Sequence, residues 1–183
     1  MISNQRQAAS GQGYGGTVQA LHWVGAFVVI ATWGLGMSMD LFPRGPAHSS
    51  AMSLHSTLGL LVLSLSTLRI LWRGATRDPA PDGPAWMVPL AHAGHVTLYA
   101  LTVALPVIGL LGRWSRSGTA TLIGGFALPA PFPLPKTELW AEAHTTLAYA
   151  LAALVVVHVT AALVHHLVLR DGILRRMMPI LSR

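Results

Sequence analysis

The sequence predicts an all-helical integral membrane protein, a bundle of four spanning helices, and two observations carry that prediction. Asp, Glu, Lys and Arg make up only 10% of the 183 residues, whereas apolar residues make up 52%. Soluble domains carry about 25% charged residues, so this chain has too few charges to cover a soluble surface. Four long apolar stretches also alternate with polar or Gly- and Pro-rich connections. Helices are expected because an open sheet cannot cross lipid.

Each spanning helix needs about 20 predominantly apolar residues. We expect spans at roughly 18–38, 53–72, 90–112 and 142–169, within a single domain that covers residues 1–183. The connections between them show no second domain and no internal repeat. A cleaved signal peptide is the alternative interpretation of the first stretch. Its length and the lack of a clear A-x-A cleavage site favour a span.

The basic residues predict that both termini face the cytoplasm of a bacterial inner membrane, because cytoplasmic loops are enriched in Lys and Arg. Eight basic residues lie at the termini and around the second connection, and four lie on the opposite side. The eight are Arg6, Arg69, Arg73, Arg77, Arg170, Arg175, Arg176 and Arg183, and the four are Arg44, Arg113, Arg116 and Lys136. The net charge is +6, but the basic residues form no dense run with interleaved aromatic residues. We therefore interpret the charge as a signal of membrane topology and expect no nucleic-acid partner.

Two histidines bracket the uncharged segment from His144 to His158. A helix rises about 1.5 Å and turns about 100° per residue, so this spacing places both imidazoles on nearly the same face, about 21 Å apart. His22 begins the first span at the predicted inner end, and His55 begins the second at the outer end. Each depth therefore has two histidines from different helices: His55 with His144 outside, and His22 with His158 inside.

Two histidines at each of two depths suit haem iron, which can be held by two axial imidazoles inside a helix bundle. Zinc would need three or four clustered ligands. The chain has no cysteine, which excludes covalent haem attachment through C-x-x-C-H. The pattern therefore predicts two b-type haems. Structural or proton-relaying histidines are the alternative, although ionisable groups inside a membrane indicate function by default.

Glycines lie where a flat macrocycle would need missing side chains. Gly25 and Gly59 follow His22 and His55 by three and four residues, and Gly36 follows His22 by fourteen, at the outer depth. Small-residue packing between helices is the alternative explanation for each of these glycines.

Two further polar positions face the predicted inner depth. Arg69 follows His55 by fourteen residues, so it is a candidate to contact a haem propionate or a quinone oxygen. An arginine extending to the membrane interface is the alternative. His95 lies in a helical stripe with His92 and Tyr99, where it is a candidate to bind a propionate or carry protons.

The inner end of the fourth span carries two more histidines. His165 follows His158 by seven residues, which places it on the ligand face about two turns further inward. It is therefore a candidate for a quinone contact or a proton path, or for a helix cap. His166 points elsewhere.

The chain resembles the bacterial cytochrome b561 family over nearly its whole length. The segments that carry the resemblance are LHW at 21–23, HSTLGLLVLSLSTLRILWR at 55–73, LAHAGHVTLYALTVALPVIGLL at 90–111, HTTLAYALAALVVVH at 144–158 and LVHHLVLRDGILRRMMP at 163–179. LPVIG and LRRMMP are most similar to the branch known as superoxide oxidase. Members of that branch oxidise superoxide at the periplasmic face and pass the electron through two b haems to ubiquinone.

The resemblance also implies site residues. It places the four axial histidines at His22, His55, His144 and His158, and the quinone-proximal histidines at His165 and His166. The family often has an aromatic residue directly before the third ligand, whereas this chain has Ala143, with Trp140 three residues earlier. The segment 112–140 resembles no recognisable segment of the family.

These observations favour a di-haem cytochrome b that oxidises superoxide outside and reduces ubiquinone inside. The four outer basic residues would attract a small anion, although Asp40, Glu138 and Glu142 offset their charge. No catalytic residue is assigned. One alternative is an electron-transfer subunit that exchanges electrons between quinone or quinol and a partner redox protein. Another is a non-redox four-span protein.

Overall fold

The computed structural model describes residues 14–76 and 86–178. Four long helices dominate this part of the chain: α1 (Gly16–Met37), α2 (Pro46–Ala75), α3 (Met87–Ser117) and α4 (Leu139–Val164). All four are long and apolar enough to cross a membrane, the last when it is taken on to Leu169. Large apolar side chains cover their outward faces, as a surface that contacts lipid requires. The predicted all-helical, four-span architecture is confirmed.

α2 and α3 extend past the predicted spans at both ends, whereas α1 and α4 begin earlier than predicted and do not extend past the predicted ends. Local backbone signals explain where two of the helices begin or end. α2 begins at Pro46 instead of residue 53, directly after Gly45. The φ of Gly45 is 127°, an angle that glycine adopts readily and other residues rarely adopt. Proline suits the first turn of a helix because its fixed φ is helical and its missing N–H is not needed there. α3 ends where Gly118 takes a left-handed φ of 72° and donates its N–H to the Trp114 carbonyl.

Each helix packs against the next helix along the chain, and side-chain contacts show that neighbours run antiparallel. The end of α1 approaches the start of α2, where Gly36 lies against His55. The end of α2 contacts the first half of α3, where Arg73 donates to the Tyr99 hydroxyl. The end of α3 approaches the start of α4. The bundle therefore goes up and down in sequence order.

A small β-hairpin lies within the segment 112–140, for which the sequence predicted no structure. Strand β1 (Thr119–Thr121) pairs antiparallel with strand β2 (Ala127–Pro129). Ala120 is completely buried, and the Ile123 N–H donates to the Thr57 hydroxyl of α2 at 2.9 Å. The hairpin therefore packs over the end of the bundle where α2 begins, and this end is called the hairpin side below.

The opposite end, called the termini side, brings together the first and last described segments. A short helix, α5 (Ile173–Met177), follows α4 and packs against the start of α1. The Arg176 carbonyl accepts from the Tyr14 N–H at 3.1 Å and from the buried Gln19 amide at 3.0 Å. The Trp23 indole donates to the Met177 carbonyl at 2.7 Å. Arg6, Arg77 and Arg183, which entered the charge count, lie outside the described residues.

Candidate haem sites

Four histidines point into the bundle as two pairs. The hairpin-side pair is His55 of α2 with His144 of α4, and their ring centroids lie 6.1 Å apart. The termini-side pair is His22 of α1 with His158 of α4, and their centroids lie 6.4 Å apart. The structure thus brings together the same two pairs that helical spacing predicts.

Both separations fit one metal ion held between two imidazoles. A metal–nitrogen bond is about 2 Å long and a ring nitrogen lies about 1.1 Å from the ring centre, so two imidazoles that hold one metal from opposite sides would have centroids about 6.2 Å apart. Within the described part of the chain, no group of three or more His, Cys, Asp or Glu side chains could hold a metal. The residues present therefore suit bis-histidine haem better than a zinc site.

Backbone carbonyls fix both rings of the hairpin-side pair. His55 Nδ1 lies 3.1 Å from the Thr32 carbonyl oxygen, and His144 Nδ1 lies 3.0 Å from the Leu105 carbonyl oxygen. A carbonyl only accepts, so each Nδ1 must carry the proton, and this assignment follows from the hydrogen-bond network. Each Nε2 therefore presents a lone pair, as a metal-binding histidine requires.

Two glycines allow this close approach. Gly36 follows Thr32 by four residues, and Gly109 follows Leu105 by four. A Cβ at Gly36 would lie 2.9 Å from His55 Cε1, and a Cβ at Gly109 would lie 2.9 Å from His144 Cε1. Any side chain at either position would therefore displace the imidazole. The sequence indicated Gly36 at this depth but missed Gly109, since the α3–α4 contact is not visible in the spacing along one helix.

The other two glycines singled out in the sequence lie beside open space. A Cβ at Gly25 or Gly59 would meet nothing within 4 Å. Both therefore leave room beside a ligand histidine, whereas Gly36 leaves room for the histidine itself.

The termini-side pair has side-chain neighbours in place of carbonyls. Arg69 Nη1 lies 2.9 Å from His22 Nδ1, and the His95 ring centroid lies 5.7 Å from that of His158. Arginine is always the donor in such a contact, so His22 Nδ1 accepts. For His22 Nε2 to bind a metal as a neutral imidazole, Nδ1 must hold the proton and the Arg69 guanidinium must turn away from it.

A second arginine joins this end of the bundle. Arg73 Nη1 donates to the Tyr99 hydroxyl at 3.1 Å. The Arg69 and Arg73 guanidinium carbons lie 5.5 and 6.0 Å from the centroid of the Tyr99 ring. The two cations are four residues apart on α2 and both lie near the Tyr99 ring, so the termini side can hold an anionic group. From the sequence, Arg73 was expected only to contribute to the positive charge of the cytoplasmic side.

A histidine–carboxylate pair lies where α4 ends. His165 Nδ1 lies 2.5 Å from Asp171 Oδ2, and Asp171 Oδ1 accepts from the Ile173 N–H at 3.3 Å. The chain closes on itself here through a π-helical turn over His165–Leu169, followed by Arg170 at φ 52°. Asp171 was not predicted as a partner of His165, because residues six apart do not share a face on a regular α-helix.

Beside His165 an apolar groove of about 380 Å³ opens on the surface of the bundle. Its walls come from α4, the π-helical turn and the first residue of α3, and include Met87, Val156, Thr160 and Val164. His165 is the one titratable residue in this lining. His166 is not among the lining residues, which agrees with its predicted divergence from the ligand face.

The basic residues of the hairpin side are not equivalent. Arg116 forms an ion pair with Glu138, and both side chains are exposed. Arg116 and Lys136 also line a groove of about 340 Å³ between the end of α3 and the segment after the hairpin. Over the described ranges, Arg44, Arg113 and Lys136 form no ion pair.

Comparison with known proteins identifies the family. The family model for prokaryotic cytochrome b561 matches residues 13–179. The probable superoxide oxidase CybB of Yersinia pestis is 34% identical over 165 residues, which cover 87% of this chain and 92% of that protein. Cytochrome b561 homolog 1 of Escherichia coli is 32% identical over 165 residues, which cover 87% of this chain and 93% of the relative.

A third relative, cytochrome b562 of Cereibacter sphaeroides, is 30% identical over 168 residues, which cover 86% of this chain and 90% of the relative. The family match spans all four membrane helices and all four paired histidines. The predicted resemblance is therefore confirmed. The family implies b-type haem and electron transfer in a bacterial membrane, and the chain belongs to the prokaryotic cytochrome b561 family.

Proposed function

We propose that this protein is a di-haem cytochrome b that oxidises superoxide on the hairpin side and reduces ubiquinone on the termini side. The observation that supports it most is the presence of two imidazole pairs, one toward each end of the bundle, each spaced for one metal. Electron transfer between two membrane faces needs such a series of sites. The name of the Yersinia relative, probable superoxide oxidase, favours this activity over others in the family.

In this proposal His55 and His144 hold one haem, and His22 and His158 hold the other. Bound haem iron supplies one-electron chemistry, and the protein supplies ligation, orientation and electrostatics. The Thr32 carbonyl accepts from His55 and so keeps its Nε2 free for the metal. The Leu105 carbonyl does the same for His144.

The hairpin side is the periplasmic side in this proposal, and both termini are cytoplasmic. The eight-to-four distribution of basic residues in the full sequence supports this orientation. Contact between α5 and the start of α1 supports a common side for the two ends. A reporter that is active only in the periplasm, fused after Arg183, is therefore expected to remain inactive. An active reporter would show the opposite orientation and reverse the assignment of the two faces.

Superoxide is a small anion, so a positive local field would speed its arrival at the periplasmic face. Because Glu138 neutralises Arg116, Arg44 and Lys136 are the better candidates for that field. Each superoxide that loses an electron becomes dioxygen. Two such electrons and two protons reduce one quinone to quinol, so two superoxide ions are consumed per quinone.

The apolar groove beside His165 is the proposed quinone site. Its apolar lining suits a lipid-soluble ring, and the His165 imidazole lies at its edge. Asp171 accepts from His165 Nδ1, so a doubly protonated His165 ring would present its Nε2–H as a donor to a quinone oxygen. His165 would bind that oxygen and pass it a proton from the cytoplasm, with Asp171 as the positioning residue. Arg69, His95 and His166 are further candidates for contact with the quinone.

Stopped-flow spectroscopy of the purified holoprotein tests both halves of the proposal. Superoxide alone is expected to reduce the haems, and added ubiquinone is expected to reoxidise them. If superoxide fails while quinol or a partner protein reduces the haems readily, the superoxide assignment is wrong and the protein is an electron-transfer subunit. A protein without a Soret band would exclude both functions.

Substitution of His165 separates the two halves. In His165→Gln, reduction by superoxide should persist while reoxidation by quinone slows by about 100-fold, the range that positioned proton transfer contributes. Asp171→Asn should slow the same step, because the imidazole loses its orienting acceptor. His166→Gln is the matched control, since His166 lies next in the chain but outside the groove lining. Equal slowing in the control would contradict the assignment.

A further inference from the structure

Two buried donor atoms on the hairpin side have no hydrogen-bond acceptor among the residues that the structure describes. Arg113 Nε and Trp140 Nε1 are shielded from solvent, and the described part of the chain offers neither of them a hydrogen-bond partner. Roughly nine in ten buried polar groups in proteins are paired, because an unpaired buried N–H loses its water without compensation. These two atoms therefore indicate an acceptor that the polypeptide itself does not provide.

Both donors lie one helical turn beyond the hairpin-side pair. Arg113 follows Gly109 by four residues on α3, and Gly109 faces His144. Trp140 precedes His144 by four residues on α4. Four residues correspond to roughly 6 Å along a helix axis. The two helices are close at this level, because a Cβ on Gly112 would lie 3.5 Å from Trp140 Cβ.

The charges around this level indicate which kind of acceptor fits. Glu138 and Glu142 each lie two residues from Trp140: Glu138 is already paired with Arg116, and Glu142 is exposed and forms no ion pair within the described residues. Arg116 is a like charge to Arg113 and cannot serve as an acceptor. The buried Nε–H of a guanidinium and a buried indole N–H together suit an anionic oxygen acceptor, above all a carboxylate.

A b-type haem carries two propionate carboxylates on one edge, and the adjacent pair His55 and His144 is spaced for its iron. We infer that Arg113 and Trp140 donate to the propionates of the haem held by this pair, and that this haem turns its carboxylate edge toward the hairpin side. The inference rests on the proposed haem assignment. It also gives Arg113 a different role from the one expected from the sequence, where it contributed only to the outer positive field.

The expected consequence is confined to one haem. The positive charge of Arg113 offsets the negative charge of the propionates and so favours the reduced haem, which carries one more electron. Arg113 therefore raises the reduction potential of the haem on the hairpin side. Arg113→Gln should lower that potential by about 60 mV, which corresponds to a tenfold change for a one-electron couple. The same variant should release this haem to excess apomyoglobin about tenfold faster, as expected when an outer-shell contact is lost. The termini-side haem should change in neither respect.

Trp140→Phe tests the second donor with little change of volume. It should accelerate release of the same haem by a smaller factor, with a smaller shift in potential, because the indole is neutral. Arg116→Gln and Trp114→Phe are the matched controls: Arg116 is paired with Glu138, and the Trp114 indole donates to the Leu128 carbonyl at 2.9 Å. If Arg113→Gln does not fold, Arg113→Lys retains the charge and should preserve most of the potential while still speeding haem release.

Potentiometric titration with optical detection separates failure of this inference from failure of the proposed function. If His144→Ala removes no haem, the hairpin-side assignment itself is wrong. If His144→Ala removes one haem while Arg113→Gln and Trp140→Phe match their controls, only the propionate contact is wrong. If Arg113→Gln instead loses a copurified phospholipid, detected by mass spectrometry, with the haem potential unchanged, the acceptor is a lipid phosphate and the inference is overturned.

Discussion

The hairpin-side and termini-side histidine pairs have nearly equal ring separations, 6.1 and 6.4 Å, but their surroundings differ. Backbone carbonyls hold both rings on the hairpin side, at 3.1 and 3.0 Å. On the termini side a side-chain cation, Arg69, lies 2.9 Å from His22 Nδ1. The first arrangement orients the metal-binding nitrogens in advance, whereas the second requires a side chain to move.

The difference reflects what each partner can do. A helix carbonyl is fixed by its own backbone hydrogen bonds and always accepts, so the tautomer of the histidine is decided by the fold. An arginine side chain is long, always charged and rotatable, so it can leave the imidazole and contact another group. We therefore expect the hairpin-side site to be geometrically rigid and the termini-side site to be adjustable.

Loss of a single ligand should give the largest effect and tests the comparison directly. His144→Ala is expected to remove the hairpin-side haem and leave the other, so the haem content per chain falls by about half. His158→Ala should remove the termini-side haem instead. Pyridine haemochrome quantification with redox titration measures both. Equal loss of both haems from either variant, with the protein still folded, would contradict the pairing.

Added methyl groups should have a smaller effect, confined to the rigid site. Gly36→Ala and Gly109→Ala each place a Cβ 2.9 Å from a ligand imidazole whose ring is held by a carbonyl. We expect about 10–100-fold weaker haem retention on the hairpin side, the range for lost outer-shell support. Gly34→Ala is the matched control on α1, because its Cβ would meet nothing within 4 Å. Retention equal to that of the control would show that the site is not rigid.

Substitution of Arg69 should give the smallest effect and act on the adjustable site alone. In Arg69→Gln the termini side loses a half-buried cation near His22, so the reduction potential of that haem should fall by roughly 60 mV, a tenfold change for one electron. Haem content should stay complete, because Arg69 must leave Nδ1 before ligation in any case. Lys136→Gln, on the opposite face, is the control. If Arg69→Gln instead shifted the reduction potential of the hairpin-side haem, the assignment of Arg69 to the termini-side site would be wrong.

Much of the candidate site follows from spacing within single helices. The fourteen-residue interval between His144 and His158 fixes two depths on one face, and the positions of His22 and His55 near their helix starts supply the partners. The structure brings together these same pairs. Arg69 was expected to contact a propionate or a quinone, or to extend to the membrane interface, whereas the structure places its guanidinium on His22. That contact depends on how α1 and α2 are rotated against each other, which spacing along one helix does not specify.

Composition by itself determined that the chain is a four-span helical membrane protein, because lipid accepts few charges and requires internally paired backbone. Helical periodicity determined which histidines share a depth and a face. Only the tertiary structure decided the carbonyl partners of His55 and His144 and the fit of Gly109 against an imidazole. The same holds for the donors of Arg113 and Trp140 that lack a partner among the described residues, and for the hairpin over Thr57. It also decided the contact between His165 and Asp171, which a π-helical turn brings together. The physical reason is that a regular helix converts sequence intervals into depth and direction, whereas contacts between helices and across turns depend on packing and on backbone dihedral angles.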